Sequence, residues 1–267
     1  MEPGKQPPPP HIVLVHGAGH GAWSWYKLKP LLEAAGHRVT AFDLAAAGTD
    51  LRCLHDLCSF DDYNQPLLEI LAAIPPPEKV VLVGHSLGGM NLAAAMERYP
   101  DRISVAVFVT AFLPDCEHKP SYVIEQLVEK TPLAENWEDT KFSTFGTPDC
   151  PLTSMTFGPK FISDQLYSLC SPEDVALGTI LIRPGSLFVE DVSQKEPFSK
   201  ERYGAVKKVY ILCEKDIVIV AWFQRWMIEA NGGVDEVVEI DEADHMAMLS
   251  TPQQLSESLT KIAAKYH

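Results

Sequence analysis

The sequence predicts an α/β fold around a mostly parallel, doubly wound sheet. Short apolar runs that indicate buried strands alternate with amphipathic segments of helical periodicity, at spacings typical of parallel crossovers. The runs His11–Val15 and Lys79–Val83 both lead directly into turns rich in glycine, as buried strands commonly do. The chain has 267 residues, 46% of them hydrophobic, which suits one large domain with an insertion.

The elements follow one another in a regular order, with no internal repeat. The predicted strands are His11–Val15, Arg38–Asp43, Lys79–Val83, Ile103–Thr110, Lys208–Cys213 and Val237–Ile240. The predicted helices are a segment from Trp23 that ends at Gly36, then Asp61–Ile74, Asn91–Tyr99, Trp222–Asn231 and Thr251–Tyr266. A strand, a helix and the next strand in this order give the parallel crossovers of an α/β sheet.

The alternation stops between Asp115 and Gly185. Two amphipathic pieces, 121–129 and 160–170, flank a stretch rich in aromatic residues and prolines. This pattern predicts a mainly helical cap inserted into the sheet domain, and base rates disfavour the alternative of long loops. The predicted division is a disordered Pro-rich leader at 1–10, a core at 11–114 and 186–267, and a cap at 115–185.

Composition excludes several classes of partner. A net charge of −14 disfavours nucleic acid and anionic membrane surfaces. We find no apolar stretch near the roughly 18 residues of a membrane span and no apolar signal-peptide region. The six cysteines form no CxxC pair and no tight metal spacing, so we expect reduced thiols in a cytoplasmic protein, without metal or cofactor.

One stretch carries a nucleophile motif. The residues Gly84–Gly88 read GHSLG, which matches the G-x-S-x-G elbow between a strand and a helix. At such a turn the backbone of the serine is strained and its hydroxyl stands clear of the sheet. Ser86 is therefore the predicted nucleophile.

A serine hydroxyl needs a histidine to take its proton and a carboxylate to orient that histidine. In this type of fold the three residues follow the chain order serine, acid, histidine, each after a strand. Asp216 follows the strand Lys208–Cys213, and His245 follows the last predicted strand. Glu214, Asp241 and Asp244 compete for the role of the acid. We expect most of the other histidines, including His85 beside the serine, to face solvent or to cap.

Acyl transfer also needs donors aimed at the developing oxyanion. The backbone N–H of Leu87 at the start of the elbow helix is one predicted donor. The loop HGAGHG after the first strand supplies the second, the N–H of Ala18. That loop fits neither a Walker A motif nor a dinucleotide-binding motif.

With these residues in place, the chain resembles the plant methylesterase and hydroxynitrile lyase family of α/β-hydrolases. The resemblance covers nearly all of the chain after the leader, most specifically in HGAGHGAWSWYKLKPLLEAAGH, VVLVGHSLGGMNL, LCSPED and EADHMAML. It implies hydrolysis of small methyl esters, such as those of salicylate, jasmonate or indole acetate, with release of the acid. It also implies the same triad and oxyanion donors, a cytoplasmic location and a homodimer.

The resemblance further implies an apolar pocket beneath the cap. The positions that resemble its lining are Phe112, Trp137, Phe142, Phe157, Leu187 and Met246. Plain core packing is the alternative for each of them. Trp137 is the strongest candidate, because a tryptophan in the polar stretch ENWED needs a surface to cover.

Two rival functions exist on this fold. Hydroxynitrile lyases of the family carry threonine, glutamate and lysine where this chain has Gly17, His85 and Met246. Departing cyanide needs a nearby cation, which Met246 cannot supply, so the esterase is favoured. A slow-turnover hormone receptor is the rival from another class, and the sequence does not exclude it.

The segment Ile217–Trp222 departs from the family pattern because it is unusually apolar. Three interpretations stay open for it, namely a tightly packed helix start, an interface patch or a perturbed Asp216 loop.

Overall fold

The computed structural model describes residues 9–131, 137–148 and 150–267 of the chain. Within these residues, six parallel strands form the main sheet in the order β2-β1-β3-β4-β8-β9. Those strands are β1 (His11–Val15), β2 (Arg38–Ala41), β3 (Val80–His85), β4 (Ile103–Val109), β8 (Lys208–Cys213) and β9 (Glu236–Ile240). A small antiparallel sheet contains β5 (Lys141–Thr147), β6 (Cys150–Thr156) and β7 (Gly185–Ser186).

Seven longer helices lie in the described part of the chain. They are α1 (Leu28–Ala34), α2 (Phe60–Ala73), α3 (Gly88–Arg98), α4 (Tyr122–Lys130), α5 (Pro172–Leu181), α6 (Ala221–Asn231) and α7 (Pro252–Tyr266). Short helical turns occur at Ala22–Trp25, Leu54–Asp56, Pro100–Arg102, Pro159–Phe161, Val189–Val192 and Ala247–Ser250, and Ile162–Leu166 forms a π-helical turn. None of these helices is long and apolar enough to cross a membrane.

The main sheet is covered on both faces, as a doubly wound fold requires. Leu67 and Leu71 of α2 pack into the core on one face. Leu28 of α1 and Leu259 of α7 pack into the core on the other face. The apolar runs of β1, β3, β4 and β8 are buried because these strands lie inside the sheet with helices on either side. The predicted fold class is confirmed.

One shift in an element boundary falls at the elbow. The helix α3 begins at Gly88, three residues before the predicted start at Asn91, because the turn after β3 continues directly into it. In β2 the strand ends at Ala41 rather than at Asp43. The carboxylate of Asp43 instead accepts hydrogen bonds from the backbone N–H groups of Ala22 at 2.7 Å and Thr49 at 2.9 Å, and so closes the following loop.

Between β4 and β8 the chain forms both helices and strands. The helices α4 and α5 and the turns near Phe161 fit the predicted helical cap, but the antiparallel pair β5 and β6 was not predicted. Only Phe145 of β5 is buried, so the strand has no apolar alternation that the sequence could reveal. The limits 115 and 185 of the cap remain a prediction, and we use the name cap for this range. The predicted leader falls almost entirely outside the described residues, which begin at Pro9.

Candidate active site

The turn after β3 gives Ser86 a left-handed backbone. Its φ is +54°, a region that non-glycine residues rarely adopt. Gly88 allows α3 to begin close to β1, since a Cβ there would lie 2.8 Å from the carbonyl oxygen of Val15. The predicted elbow is thus present as a strained turn between a buried strand and a buried helix.

His245 and Asp216 form a buried pair. The Nδ1 atom of His245 lies 2.7 Å from Oδ2 of Asp216, and both side chains are almost fully excluded from solvent. A carboxylate only accepts, so Nδ1 carries the proton and Nε2 of the neutral ring is left as an acceptor. Ser86 and His245 line the same cavity. This arrangement can activate a serine hydroxyl.

The carboxylate of Asp216 is held by further donors. The backbone N–H groups of Val218 and Ile219 donate to Oδ1 at 2.7 and 3.0 Å, and the hydroxyl of Thr110 donates to Oδ2. The buried side chain of Gln224 supports the same loop, since its Nε2 donates to the carbonyl oxygens of Ile219 and Cys213. The loop therefore fixes the direction in which Asp216 faces His245.

The competing carboxylates are engaged elsewhere. Glu214 pairs with Arg225 beside the sheet. Asp241 is exposed at the end of β9. Asp244 is buried but accepts hydrogen bonds from the backbone N–H groups of Leu169 and Met246, both at 2.9 Å. Of these four carboxylates, Asp216 is the one that contacts the His245 ring.

The apolar segment after Asp216 lies at the cavity. Ile217, Val218 and Ile219 line it, while the backbone of the last two binds the Asp216 carboxylate. Trp222 is half exposed at the start of α6. The unusual composition therefore coexists with an ordered Asp216 loop and supplies part of the cavity wall.

The backbone N–H groups of Ala18 and Leu87 are available as oxyanion donors. Leu87 directly precedes α3, where amides lack helical partners, and Ala18 lines the cavity. Neither amide donates a hydrogen bond to another atom of the described residues. Gly17 brings this loop close, because a Cβ there would lie 2.9 Å from Cβ of Ser86.

Most other histidines were predicted to face solvent or to cap, and the prediction of solvent exposure is wrong for most of them. The buried ones are His11, His16, His20, His37 and His85. Burial lowers the pKa of His85 well below its usual value and that of His20 to about 3, because the charged ring would lose its hydration. The Nε2 atom of His85 lies 2.7 Å from the backbone oxygen of His245, so His85 lies beside the proposed base rather than in solvent.

The cavity is narrow and largely apolar. Its volume is about 60 Å³, enough for a few water molecules. Four of the six predicted lining residues lie in its wall, namely Phe112, Trp137, Phe157 and Leu187. Val128 and Ile217 also line it and are about half exposed, so they mark its mouth.

Phe142 and Met246 do not lie in this wall. Phe142 is 49% exposed on the cap sheet and meets the Trp137 ring edge-on at 5.4 Å. Met246 is fully buried in the hydrophobic core and does not line the cavity. A side chain next to a site residue in sequence can pack away from the site, and this is the case for Met246.

Sequence reasoning missed a large part of the wall. The additional residues are His20, Ile124, Leu127, Val128, Met155, Phe161, Gln165, Leu166 and Ile217–Ile219. The sequence indicates that α4 has an apolar face, but it does not indicate which part of the fold this face packs against. Among the described residues, no group of three His, Cys, Asp or Glu side chains is placed to hold a metal ion.

The main sheet is parallel, and a serine occupies a strained turn after β3. An Asp–His pair lies on the loops after β8 and β9. Together these features define an α/β-hydrolase fold. Residues 12–258 match the family model of the alpha/beta hydrolase family. The chain belongs to that family.

Its relatives include plant esterases. Salicylic acid-binding protein 2 of Nicotiana tabacum is 60% identical over 96% of this chain and 98% of its own length. Methylesterase 1 of Arabidopsis thaliana is 52% identical over 96% of this chain and 97% of its own. The crystal structure of polyneuridine aldehyde esterase superposes with a TM-score of 0.93 at 51% identity, over 96% of this chain and 99% of that chain. The family resemblance recognised from the motifs is confirmed.

Proposed function

We propose that this protein is a serine carboxylesterase that hydrolyses small methyl esters through an acyl-enzyme. The observation that carries the proposal is the 2.7 Å contact between His245 Nδ1 and Asp216 Oδ2, with His245 and Ser86 in one cavity. Its relatives named methylesterase 1 and polyneuridine aldehyde esterase support the same reaction class. The Ala18 and Leu87 amides are the proposed oxyanion donors.

The mechanism has two half-reactions. His245 takes the proton of Ser86 as its oxygen attacks the ester carbonyl, and the two amides stabilise the tetrahedral oxyanion. The C–O bond to methanol breaks, and methanol leaves with the proton from His245. Water then attacks the acyl-enzyme, with His245 again as the base, and releases the acid and free Ser86.

The lining of the cavity supports the proposal that the acyl group of the substrate is compact and apolar. The aromatic rings of Trp137, Phe157 and Phe161 form a cluster in which each ring stacks on the other two, with centroids 5.2 to 6.2 Å apart. Such an aromatic cluster offers apolar surface that suits a planar aromatic acid. The name of the tobacco relative points to salicylate. We therefore propose plant-hormone esters of the methyl salicylate, methyl jasmonate or methyl indole-acetate type as the substrate class.

We also propose a cytoplasmic homodimer without metal or cofactor. The family resemblance suggests the dimer, and the thiols of Cys53, Cys116, Cys170 and Cys213, which form no disulfide, suit a reducing compartment. Light scattering of the purified protein would give the mass of the assembly, and a monomer at micromolar concentration would contradict the dimer.

The test is a panel of the three methyl esters, compared by kcat/KM for wild type and Ser86→Ala. We expect wild type to hydrolyse at least one ester and the variant to lose at least a thousandfold, while circular dichroism stays unchanged. Retained hydrolysis in Ser86→Ala would contradict the assignment of Ser86 as the nucleophile. Faster cyanide release from mandelonitrile than ester hydrolysis would indicate a lyase. Thermal stabilisation by the ester without turnover would indicate a receptor.

A further inference from the structure

The loop that carries Ala18 is tied to the cap through one histidine. The Nδ1 atom of His20 lies 2.8 Å from the carbonyl oxygen of Ala18. Its Nε2 atom lies 2.9 Å from the hydroxyl of Tyr167, which follows the π-helical turn of the cap. A chain of two hydrogen bonds therefore joins the cap to Ala18, and its first bond links His20 to Tyr167, 147 residues apart in sequence.

The direction of both hydrogen bonds follows from chemistry. A carbonyl oxygen only accepts, so His20 Nδ1 carries the proton and donates to Ala18. In a neutral imidazole the other nitrogen is then an acceptor, and the Tyr167 hydroxyl must donate to it. Burial keeps the ring neutral, because desolvation lowers the pKa of His20 to about 3. Tyr167 therefore fixes the tautomer that His20 needs to hold Ala18.

Packing holds the same ring in place. The His20 ring stacks on Trp23 at 5.4 Å and on Tyr167 at 5.9 Å between centroids. A second cap contact lies one residue away, where the backbone N–H of Arg183 donates to the carbonyl oxygen of Gly19 at 2.9 Å. The loop is thus restrained by the cap at two neighbouring residues.

The peptide that carries the Ala18 N–H is anchored from its other side by the core. The Nδ1 atom of His16 lies 2.8 Å from the carbonyl oxygen of Gly17, which belongs to that same peptide. The backbone N–H of Leu44 donates to the other nitrogen of His16 at 3.1 Å. His16 and His20 therefore hold Ala18 on both sides, and the His20 anchor depends on a cap residue.

We propose that Tyr167 is a positioning residue that, through His20, aims the Ala18 N–H at the oxyanion. The proposal rests on the esterase function proposed above, in which Ala18 is one of two oxyanion donors. In this proposal the cap positions an oxyanion donor in addition to covering the substrate. Because the Tyr167 hydroxyl comes from the cap, the oxyanion hole is complete only when the cap is seated on the core.

The test compares Tyr167→Phe with Tyr26→Phe. Each variant removes one hydroxyl that joins core and cap, since Tyr26 donates to Asp174 of α5 at 2.6 Å, but only Tyr167 bonds to His20. Loss of a complete oxyanion donor typically costs a hundredfold or more in kcat, so a misaimed donor should cost about tenfold. We expect Tyr167→Phe to lower kcat about tenfold with KM within about twofold, and Tyr26→Phe to change kcat less than about twofold.

A second readout does not depend on turnover. A fluorophosphonate reacts when the Ser86 oxygen attacks phosphorus, His245 takes the serine proton and fluoride leaves, and the phosphoryl oxygen takes the oxyanion position. Mass spectrometry should show Ser86 labelled about tenfold more slowly in Tyr167→Phe than in Tyr26→Phe. If wild type hydrolyses no ester, the proposed substrate class fails, whereas labelling rates still test the role of Tyr167.

Two outcomes would overturn the proposal. Equal loss of kcat in both tyrosine variants would mean that a loosened cap, and not the aim of Ala18, is responsible. A change in KM alone would place Tyr167 in substrate binding. If Tyr167→Phe unfolds below the assay temperature, His20→Asn tests the contact from the other side. Its amide can donate to the Ala18 carbonyl but cannot reach Tyr167, so the same fall in kcat is expected.

Discussion

His85 donates a hydrogen bond from Nε2 to the backbone carbonyl of His245 across 2.7 Å. The residue beside the proposed nucleophile therefore supports the loop of the proposed base. This contact is independent of Asp216, which binds the ring of His245 rather than its backbone. The side chain of His85 thus links the serine turn to the histidine loop, while Asp216 orients the ring of His245.

Replacing His85 should reveal this support. We expect His85→Ala to lower kcat for ester hydrolysis about ten- to a hundredfold, because the carbonyl of His245 loses its donor and a void opens beside the base. His85→Gln places an amide N–H near the position of Nε2 and should recover most of the loss. Steady-state kinetics on one methyl ester would measure both, and equal activity of His85→Ala and wild type would contradict the role.

The role of Asp216 in orienting His245 can be separated from the effect of the neighbouring carboxylate of Glu214. Asp216→Asn should lower kcat by about ten thousandfold, because an amide facing Nδ1 favours the tautomer that cannot accept the serine proton. Glu214→Gln removes a carboxylate two residues away that pairs with Arg225, and should change kcat less than about twofold. If the two variants exchanged these effects, the acid of the triad would be Glu214.

Trp137 should contribute to binding of aromatic esters. It lines the cavity, and its ring stacks on Phe157 and Phe161. Trp137→Ala should raise KM for methyl salicylate about tenfold and leave kcat less affected, because lost stacking weakens ground-state and transition-state binding alike. Trp222→Ala is the matched control, since that ring is half exposed at the start of α6. An unchanged KM in Trp137→Ala would place the acyl group elsewhere.

Buried neutral histidines should make the fold sensitive to acid. The pKa of His20 is about 3 in the folded state and near 6.5 when the chain is unfolded, so the unfolded state binds more protons below pH 6.5. Stability from this residue is complete above about pH 6.5 and is lost as the pH falls towards 3. At pH 5 the loss is about 2 kcal/mol.

Denaturant unfolding at several pH values would measure this dependence. His20→Gln should reduce the slope of the unfolding free energy against pH by about one bound proton between pH 6 and 4. His55→Gln, at an exposed histidine, should keep the slope of wild type. The slope is the informative quantity, because His20→Gln also changes stability at neutral pH. An unchanged slope would show that His20 does not titrate with unfolding.

The sequence by itself determined the parallel sheet, the elbow and the candidates for the triad. These features are local, since an apolar run followed by a glycine turn predicts both a strand and the position of the residue after it. Ser86, Asp216 and His245 each follow a predicted strand, and their order along the chain made them candidates. The choice among the competing carboxylates needed the contact between Asp216 and the His245 ring. Mistakes at this level were shifts of a few residues, as at the start of α3.

Only the tertiary structure decided what surrounds these residues. The contact between Tyr167 and His20, which holds Ala18, joins residues 147 apart in sequence and has no periodic signal. The strands β5 and β6 pair although their residues are mostly exposed, so the cap sheet could not be predicted from apolar alternation. Met246 packs into the core and Gln165 into the cavity wall because side-chain direction depends on how distant elements meet. Local periodicity fixes elements and their ends, whereas the shape of the cavity depends on contacts between them.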